Sequence, residues 1–467
     1  MNKKVFKRKI YDRILQWKQE SNGQTALMIQ GARRIGKSTI VEEFAKREYS
    51  SYIIIDFNKV SSTIKSLFDD LMDLDFIFLQ LQTTYNVVLE KRKSVIIFDE
   101  VQNCPNARQA IKYLVQDGRY DYIETGSLIS IKQNTKGITI PSEEEQLDMY
   151  PMDFEEFRWA LNDNVSIPLI QTFYEKRRPL GVAHRTKQKD LRLYMLVGGM
   201  PESVKTWVEY HDYVKCQEVQ DDIIVTYEDD FPKYKKTVDP ILLRQTLRSA
   251  AVQVTKKFVY SKVGQEYKTA EVKKAIQLLT LAGILHPVTH TDANGLPFGS
   301  EEDKSYQKML LLDTGLLLRL LNMSLGDISE LTTQILTASA AELANKGPMA
   351  ELVVGLEMLH YMSPNIRHDL YYWVRNAKNS QAEIDYISSY LQIVVPIEVK
   401  ADTQGGMKSL WSFMHDKKLH YAIRCSMENF GKFTYVDKND DAEVRHVRIC
   451  PMYAIAQMED VKQGIEK

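Results

Sequence analysis

The feature that most constrains this chain is a short glycine-containing segment between a predicted strand and a predicted helix, IQGARRIGKS at residues 29–38. It fits the pattern G-x-x-x-x-G-K-[ST] from Gly31 to Ser38 without a mismatch. Gly31 lets the chain leave the strand, and Gly36 lets the backbone curl so that successive amide groups face an anion. The following helix adds the positive end of its dipole. The segment therefore predicts a polyphosphate-binding site.

Individual residues of this loop have expected roles. We expect Lys37 to reach the β- and γ-phosphates of ATP and to act in catalysis, and Ser38 to give its hydroxyl to Mg²⁺. The alternative is an ordinary glycine-rich turn, which the correctly placed strand and helix disfavour. The residues expected to surround the nucleotide phosphates are Gly31, Ala32, Arg33, Arg34, Ile35, Gly36, Lys37, Ser38 and Thr39.

A second motif, VIIFDE at residues 95–100, is an apolar strand that ends in two carboxylates. We expect Asp99 to hold Mg²⁺ through its water shell and Glu100 to orient and deprotonate the attacking water. The alternative is a strand with solvated acids at its end. Another strand lies between the two motifs in sequence, and the glutamate sits beside the aspartate. Both features are typical of ATPases with an inserted central strand.

Two further roles are left open by the sequence. The segment ETGS at residues 124–127 offers Thr125 and Ser127 as contacts for the γ-phosphate, and we favour Ser127. Phosphoryl transfer also requires a positive charge for the transition state. Arg33, Arg34 and Arg119 are the candidates within the chain. An arginine from a neighbouring subunit is a further alternative, so a homo-oligomer is compatible with the sequence.

Length and periodicity predict an α/β protein of several parts. A chain of 467 residues is too long for one ordinary core. Strand and helix signals alternate in the first part, which predicts a parallel sheet covered by helices. We predict an ATPase domain at 1–160, a lid-like helical extension at 161–240, a winged-helix-like domain at 241–330 and a further α/β domain at 331–467. The helix within the third part could enter a DNA groove or could serve only in packing.

Composition narrows the classes of function. The net charge of −1 gives no general electrostatic attraction to nucleic acid, so DNA binding would need a local basic face. The segment that begins the chain lacks the apolar stretch of a signal peptide, and no apolar run is long enough for a membrane span. We therefore expect a cytoplasmic protein with no membrane partner. Its widely spaced cysteines predict reduced, buried thiols.

Near the C-terminal end, carboxylates and a lysine are clustered in the sequence AEIDYISSYLQIVVPIEVKA at residues 382–401. Glu398 and Lys400 are two residues apart on a predicted strand and so share a face. Asp385 lies on the preceding strand, and Glu351 could join from an upstream helix. Such carboxylates could hold one or two hard cations as metal ligands, with Lys400 as a catalytic residue that stabilises developing phosphate charge. The cluster would suit phosphodiester cleavage.

Taken together, the motifs resemble those of prokaryotic AAA-type ATPases that carry a C-terminal domain of uncharacterised function. The resemblance implies ATP binding at Gly36, Lys37, Ser38 and Asp99, without a settled biological role. The stretch at 134–146 lacks the arginine expected before the fifth strand, which leaves the arginine assignment open. The segments that carry the resemblance are GARRIGKS, IIFDE, ETGS, YPMDFEEF, GGMPESV and LLLDTGLL.

The C-terminal cluster resembles the PD-(D/E)XK nuclease superfamily, whose core is a helix, three strands and a helix. The resemblance implies a nuclease-like α/β domain of the restriction-endonuclease type at 331–467. Here the "PD" element is represented only by EID at residues 383–385, without a proline. Two alternatives are the polar face of a half-buried sheet and a decayed nuclease fold retained for binding. The leading hypothesis is an ATP-driven enzyme that cuts or grips DNA. Its rival is a nucleotide-dependent switch whose C-terminal domain only binds another protein.

Overall fold

The computed structural model describes seven stretches of the chain. Part of the segment at 134–146, which lacks the expected arginine, lies outside the described residues, namely 134–140. The predicted start of the C-terminal domain at 331–345 also lies outside them. The chain divides into two compact units, the first built mainly from residues up to Pro151 and the second mainly from Met152 onward. The described residues are 5–127, 141–321, 346–361, 369–375, 382–390, 392–401 and 406–463.

The first unit contains a five-stranded sheet in the order β2-β3-β4-β1-β5. Every pair of neighbouring strands is parallel, as the alternating strand and helix signals predict. The α/β class of this part is therefore confirmed. β4 lies between β1 and β3, so a strand separates the loop-bearing strand from the acidic one. The strands are β1 (Ala26–Gly31), β2 (Ser51–Asp56), β3 (Ser94–Asp99), β4 (Asp121–Ser127) and β5 (Glu144–Asp148).

The helices of this unit differ from the prediction in one place. The sequence predicts a helical stretch over residues 61–92, because apolar positions such as Leu67, Leu71 and Leu74 share one face, but residues 67–73 separate two helices there. The side chain of Asp73 accepts a hydrogen bond from Phe76 N at 2.9 Å and caps the second helix. Local side-chain acceptors of this kind start new helices instead of continuing old ones. The helices are α1 (Ile10–Ser21), α2 (Lys37–Glu48), α3 (Ser62–Ser66), α4 (Leu74–Tyr85) and α5 (Pro105–Asp117).

Three aromatic rings fix the end of β3. Phe98 packs edge-to-face against Phe57 and Phe68, with ring centroids 5.7 Å and 5.3 Å away. All three side chains are buried. Aromatic pairs in this geometry add to the free energy of burial. Because Phe98 immediately precedes Asp99, this cluster holds the acidic end of the strand in place.

The second unit contains an eight-stranded mixed sheet and most of the remaining helices. Its strand order is β12-β13-β11-β10-β9-β8-β6-β7. The strands are β6 (Leu285–Thr291), β7 (Glu302–Leu311), β8 (Leu370–Val374), β9 (Glu383–Tyr390), β10 (Ile393–Lys400), β11 (Tyr421–Ser426), β12 (Gly431–Asp437) and β13 (Glu443–Pro451). The later helices are α6 (Phe154–Ala160), α7 (Ser166–Lys176), α8 (Ala183–Val197), α9 (Pro201–Tyr210), α10 (Tyr213–Asp230), α11 (Pro240–Val252), α12 (Thr269–Leu281), α13 (Thr314–Leu320), α14 (Lys346–Tyr361) and α15 (Lys408–Asp416).

The β6–β7 hairpin belongs to this same sheet. β6 pairs antiparallel with β7 and parallel with β8, so the hairpin and the C-terminal strands form one continuous sheet. The polar, glycine-containing sequence TDANGLPFGSEEDKSY at residues 291–306 predicts a loop, but β7 begins within it at Glu302. The pattern of two helices, a strand and an exposed loop in the sequence predicts a winged helix. The winged-helix assignment and the four domain boundaries remain predictions.

Two of the motifs that carry the family resemblance meet inside the second unit. Asp313 of LLLDTGLL accepts hydrogen bonds from Gly199 N at 2.6 Å and from Leu316 N at 2.9 Å. Gly198 has a φ of 72°, and a Cβ there would lie 2.4 Å from Asp313 Oδ1. Only glycine fits this backbone conformation and this close approach. The buried Asp313 carboxylate therefore joins the start of α13 to the turn before α9.

Within the described residues, none of the helices combines the length and the hydrophobicity of a membrane span. Four cysteines are free and buried, as their spacing predicts. They are Cys104, Cys216, Cys425 and Cys450.

Replacing Asp313 by alanine should lower the free energy of unfolding by about 2 kcal/mol, because a helix cap is lost and buried amide groups are left without an acceptor. The change can be measured by urea denaturation followed by circular dichroism. The matched control is Asp212→Ala, which removes the cap of α10. Asp212 is only partly buried, so its loss should cost about 1 kcal/mol or less. Equal losses for the two variants would contradict the role given to Asp313.

Candidate functional site

The loop between β1 and α2 has the backbone of an anion cradle. Gly31 and Gly36 have φ values of 153° and 97°, and Arg34 also adopts a positive φ of 65°. A Cβ on Gly31 would lie 2.2 Å from the carbonyl oxygen of Met149, so this position requires glycine. α2 begins at Lys37, directly after the curl. The amide groups and the positive end of the helix dipole therefore converge on one place.

The other loop residues are divided between core and surface. Ala32 and Ile35 are buried and anchor the loop, whereas Arg33 and Arg34 are exposed. Thr39 lies in the first turn of α2.

The Lys37 amine lies against the loop itself. Its Nζ donates hydrogen bonds to the carbonyl oxygens of Gly31 at 3.1 Å and Ala32 at 2.7 Å. Burial lowers the pKa of Lys37 to about 8, although the carboxylates of Glu100 and Asp99 act in the opposite direction. Carbonyl oxygens compensate a buried ammonium only partly. Phosphate oxygens arriving in the loop would be much stronger acceptors for this amine.

Ser38 and Asp99 meet at the carboxyl edge of the sheet. Ser38 Oγ donates a hydrogen bond to Asp99 Oδ1 at 2.7 Å, and Thr125 Oγ1 donates to the same oxygen. A hydroxyl and a carboxylate are the hard oxygen donors that Mg²⁺ prefers. The donor set therefore fits the predicted ion, with Ser38 and Asp99 as the residues that would hold it. Thr125, the less favoured candidate in the sequence, is in direct contact with Asp99.

Glu100 follows Asp99 in a left-handed backbone conformation, with a φ of 56°. Gln102 Nε2 donates a hydrogen bond to Glu100 Oε2 at 2.5 Å and so fixes the direction of that carboxylate. Sequence reasoning missed Gln102, because a glutamine two residues after the acidic pair gave no distinct signal. Ser127 ends β4 and pairs in register with Gly31, so it lies beside the start of the loop.

Of the three candidate arginines, Arg119 lies too far from the phosphate loop to contact a nucleotide bound by its own chain. It precedes β4 and so lies at the amino edge of the parallel sheet, whereas the loop follows the carboxyl end of β1. There it pairs with Asp117 at 2.7 Å and also contacts Asp75. Arg33 and Arg34 remain the candidates from the same chain.

An arginine that the sequence analysis did not single out supports the loop from behind. Arg8 is 6% exposed and donates hydrogen bonds to the carbonyl oxygens of Ile35 at 3.0 Å and Tyr150 at 2.7 Å. These bonds tie the loop to the segment after β5. The basic composition of the first residues gave no indication of this role.

The second unit brings together the carboxylates predicted near the C-terminal end. Glu351 on α14 and Asp385 on β9 have carboxylate oxygens within 4.8 Å of each other. Asp385 Oδ2 accepts a hydrogen bond from Val399 N at 2.7 Å, across the antiparallel pair of β9 and β10. Glu398 and Lys400 form an ion pair on β10, as their spacing predicts. All four residues therefore belong to one cluster, whose function remains a prediction.

Two members of this cluster were missed by the sequence analysis. Glu383, on β9, has a carboxylate oxygen within the same 4.8 Å as Glu351 and Asp385. Lys308, on β7, is 1% exposed and pairs with Glu351 at 2.7 Å and with Glu383. Although burial lowers the pKa of Lys308, the surrounding carboxylates raise it above its ordinary value. A lysine 43 residues before Glu351 carries no local signal that it belongs to this site.

The cluster contains an unsatisfied oxygen that fits a cation. Glu398 Oε2 is buried and has no hydrogen-bond partner, while the side chain is 5% exposed. Burial, together with the nearby Asp385 carboxylate, raises the pKa of Glu398 to about 7. Carboxylate oxygens are hard donors suited to Mg²⁺ or Mn²⁺. Asp385 and Glu398 are therefore the residues that would hold a divalent ion here.

Comparison with known proteins covers most of the chain in three pieces. Residues 23–158 match the family model described as an AAA domain. Residues 188–327 and 346–453 match two domains of unknown function, DUF8612 and DUF4143. No curated protein matches the chain.

Solved structures give only distant similarity. A Walker-type ATPase of Pyrococcus abyssi is 15% identical with a TM-score of 0.42, over 68% of this chain and 96% of that one. The RuvB Holliday junction branch migration motor of Thermotoga maritima is 10% identical with a TM-score of 0.28, over 60% and 89%. Similarity at this level carries no information on function. The match to the family model and the geometry of the loop together identify residues 23–158 as an AAA-type P-loop ATPase domain. Membership of this family implies nucleotide binding.

Proposed function

We propose that this chain is an Mg²⁺-dependent ATP hydrolase that acts on DNA through its C-terminal carboxylate–lysine cluster. The observation that carries the ATPase part is the hydrogen bond from Ser38 to Asp99, which joins the phosphate loop to the acidic strand end. A hydroxyl and a carboxylate held together in this way are prepared to share one ion. That ion would neutralise charge on the β- and γ-phosphates of ATP.

Each residue of the nucleotide site has a proposed task. Lys37 would exchange its loop carbonyl partners for phosphate oxygens and would remain near the transferred group in the transition state. Glu100 would orient the attacking water and accept its proton, with Gln102 holding the carboxylate in position. Ser127 and Thr125 are both proposed near the γ-phosphate, and the contact of Thr125 with Asp99 favours a role for Thr125 in placing the ion.

Replacing Lys37 by alanine should weaken ATP binding at least about 100-fold, because the amine that lies on the carbonyl groups of the loop is removed. Binding can be followed with a fluorescent ATP analogue and Mg²⁺. The matched control is Lys46→Ala on the same helix, where an exposed lysine pairs with Glu42. That change should leave affinity unaltered. Equal affinity for the Lys37 variant and the wild-type protein would refute the proposed phosphate site.

Replacing Glu100 by glutamine should lower the rate of ATP hydrolysis by about 10²–10⁴-fold while leaving ATP binding nearly intact, because only the proton acceptor is lost. Phosphate release and nucleotide binding can be measured on the same preparation. Glu90→Gln, an exposed carboxylate before β3, is the matched control and should hydrolyse at the normal rate. A Glu100 variant that hydrolyses ATP normally would remove this residue from the mechanism.

The DNA-cutting part of the proposal is supported by the order of elements around the carboxylates. α14, the strands β8, β9 and β10, and α15 follow one another as helix, three strands and helix. This is the order expected from the resemblance to PD-(D/E)XK nucleases. A divalent ion between Asp385 and Glu398 would supply positive charge at a scissile phosphate. Lys400 would stabilise the additional charge that develops there.

The competing proposal is a nucleotide-dependent switch whose C-terminal part binds another protein. The net charge of −1 favours it, because DNA-binding proteins generally present a strong positive surface. The complete set of Asp385, Glu398 and Lys400 favours the nuclease. The two proposals differ in whether the protein cleaves DNA with Mg²⁺ or Mn²⁺.

Replacing Lys400 by alanine should reduce DNA cleavage at least 100-fold, because the cation beside the proposed metal ligands is lost. Supercoiled plasmid with Mg²⁺ or Mn²⁺ is a suitable substrate. The matched control is Lys432→Ala, an exposed lysine on β12 that should leave cleavage unchanged. Cleavage that persists in the Lys400 variant, or its absence from the wild-type protein, would leave the binding switch as the better account.

A further inference from the structure

The carboxylate cluster of the second unit contains a buried ammonium group, that of Lys308. This lysine does not belong to the helix or the strands that carry the carboxylates. Lys308 comes from β7, at the edge of the sheet, whereas the carboxylates lie on α14, β9 and β10. Its ammonium contacts Glu351 and Glu383, and it lies 4.8 Å from the centre of the Tyr372 ring. The side chain is 1% exposed. The ammonium is therefore a buried part of the site.

The contacts of Lys308 are those that a metal ion would make. The oxygens of Glu351, Glu383 and Asp385 lie within 4.8 Å of one another, close enough to share one cation. Lys308 pairs with two of these three carboxylates. Removing a partner from a buried ionic group leaves an uncompensated charge and is strongly unfavourable. A second metal ion would have to displace this ammonium and bear that cost.

On the side of Glu398, Lys400 pairs with one carboxylate oxygen, and the other oxygen has no partner. Glu398 Oε2 is buried without a hydrogen-bond partner, and Asp385 lies beside it across the antiparallel strands. Glu351, Glu383, Asp385 and Glu398 carry four negative charges when ionised, and Lys308 and Lys400 carry two positive ones. One divalent ion balances the remaining charge. With Lys308 in place, a second divalent ion would leave two excess positive charges at the site, whereas removing the charge of Lys308 would lower that excess to one.

We propose that Lys308 occupies the position of a second metal ion, so that the site accepts a single divalent ion between Asp385 and Glu398. This inference rests on the proposed metal-dependent function of the C-terminal cluster. It adds a positioning residue from the β6–β7 hairpin to that site. If Lys308 has this role, the β6–β7 hairpin is required for a site whose other residues lie on α14, β9 and β10.

The inference is tested by counting bound ions. Mn²⁺ is titrated calorimetrically into the full-length protein without nucleotide, and Asp385→Asn serves as the blank for this site. Wild-type protein should bind one more Mn²⁺ than the blank. Lys308→Met, which keeps the length of the side chain without its charge, should bind two more. Lys308→Arg, which keeps the charge, should bind one more.

The possible outcomes separate this inference from the proposed function. If the wild-type protein bound two Mn²⁺ ions more than the blank, or if wild type and Lys308→Met bound the same number, the role of Lys308 would be refuted. The proposal of a metal site would then still stand. No ion beyond the blank in any variant would refute both. Because the wild-type count is informative alone, the test does not depend on the folding of Lys308→Met.

Thermal unfolding gives a second measurement that does not depend on activity. Lys308→Met should unfold at a lower temperature in EDTA and should recover more on addition of Mn²⁺ than the wild-type protein does. Leu310→Ala, a buried change on the same strand, is the matched control. It should lower the melting temperature without a metal-dependent recovery. Equal responses to Mn²⁺ in the two variants would count against the inference.

Discussion

The hydrogen bond between Ser38 and Asp99 is the interaction on which the nucleotide site depends, because it brings two distant motifs to one point. It is possible only because β1 and β3 are parallel and end at the same edge of the sheet. β4 lies between them, and Thr125 from that strand bonds to the same aspartate oxygen. The order of the strands therefore brings together the oxygen atoms that would hold the proposed ion.

Both candidate sites use buried positive side chains on polar partners. Lys37 lies on the carbonyl groups of its own loop, and Lys308 lies between carboxylates of the second unit. Burying an ammonium is unfavourable unless it is well paired. In the loop, the weak pairing leaves Lys37 ready for phosphate. In the cluster, the strong pairing makes Lys308 a permanent part of the site.

Sequence patterns were most informative where chemistry and spacing are local. The loop from Gly31 to Ser38, the acidic end of β3 and the pair of Glu398 and Lys400 could all be identified, because each lies within a few residues. The pattern over residues 61–92 predicted one helix, whereas side-chain caps divide it into α3 and α4. Periodicity alone does not show where a local hydrogen bond ends one helix and begins another.

The sequence by itself determined that this chain has a phosphate loop followed by an acidic strand, since both signals are carried by neighbouring residues. Only the tertiary structure decided which distant side chains complete the sites. It placed Arg119 at the far edge of the sheet, put Arg8 behind the loop and brought Lys308 among the carboxylates. The physical reason is that strand order and register are set by packing across the whole unit. No spacing along the chain encodes which strands become neighbours.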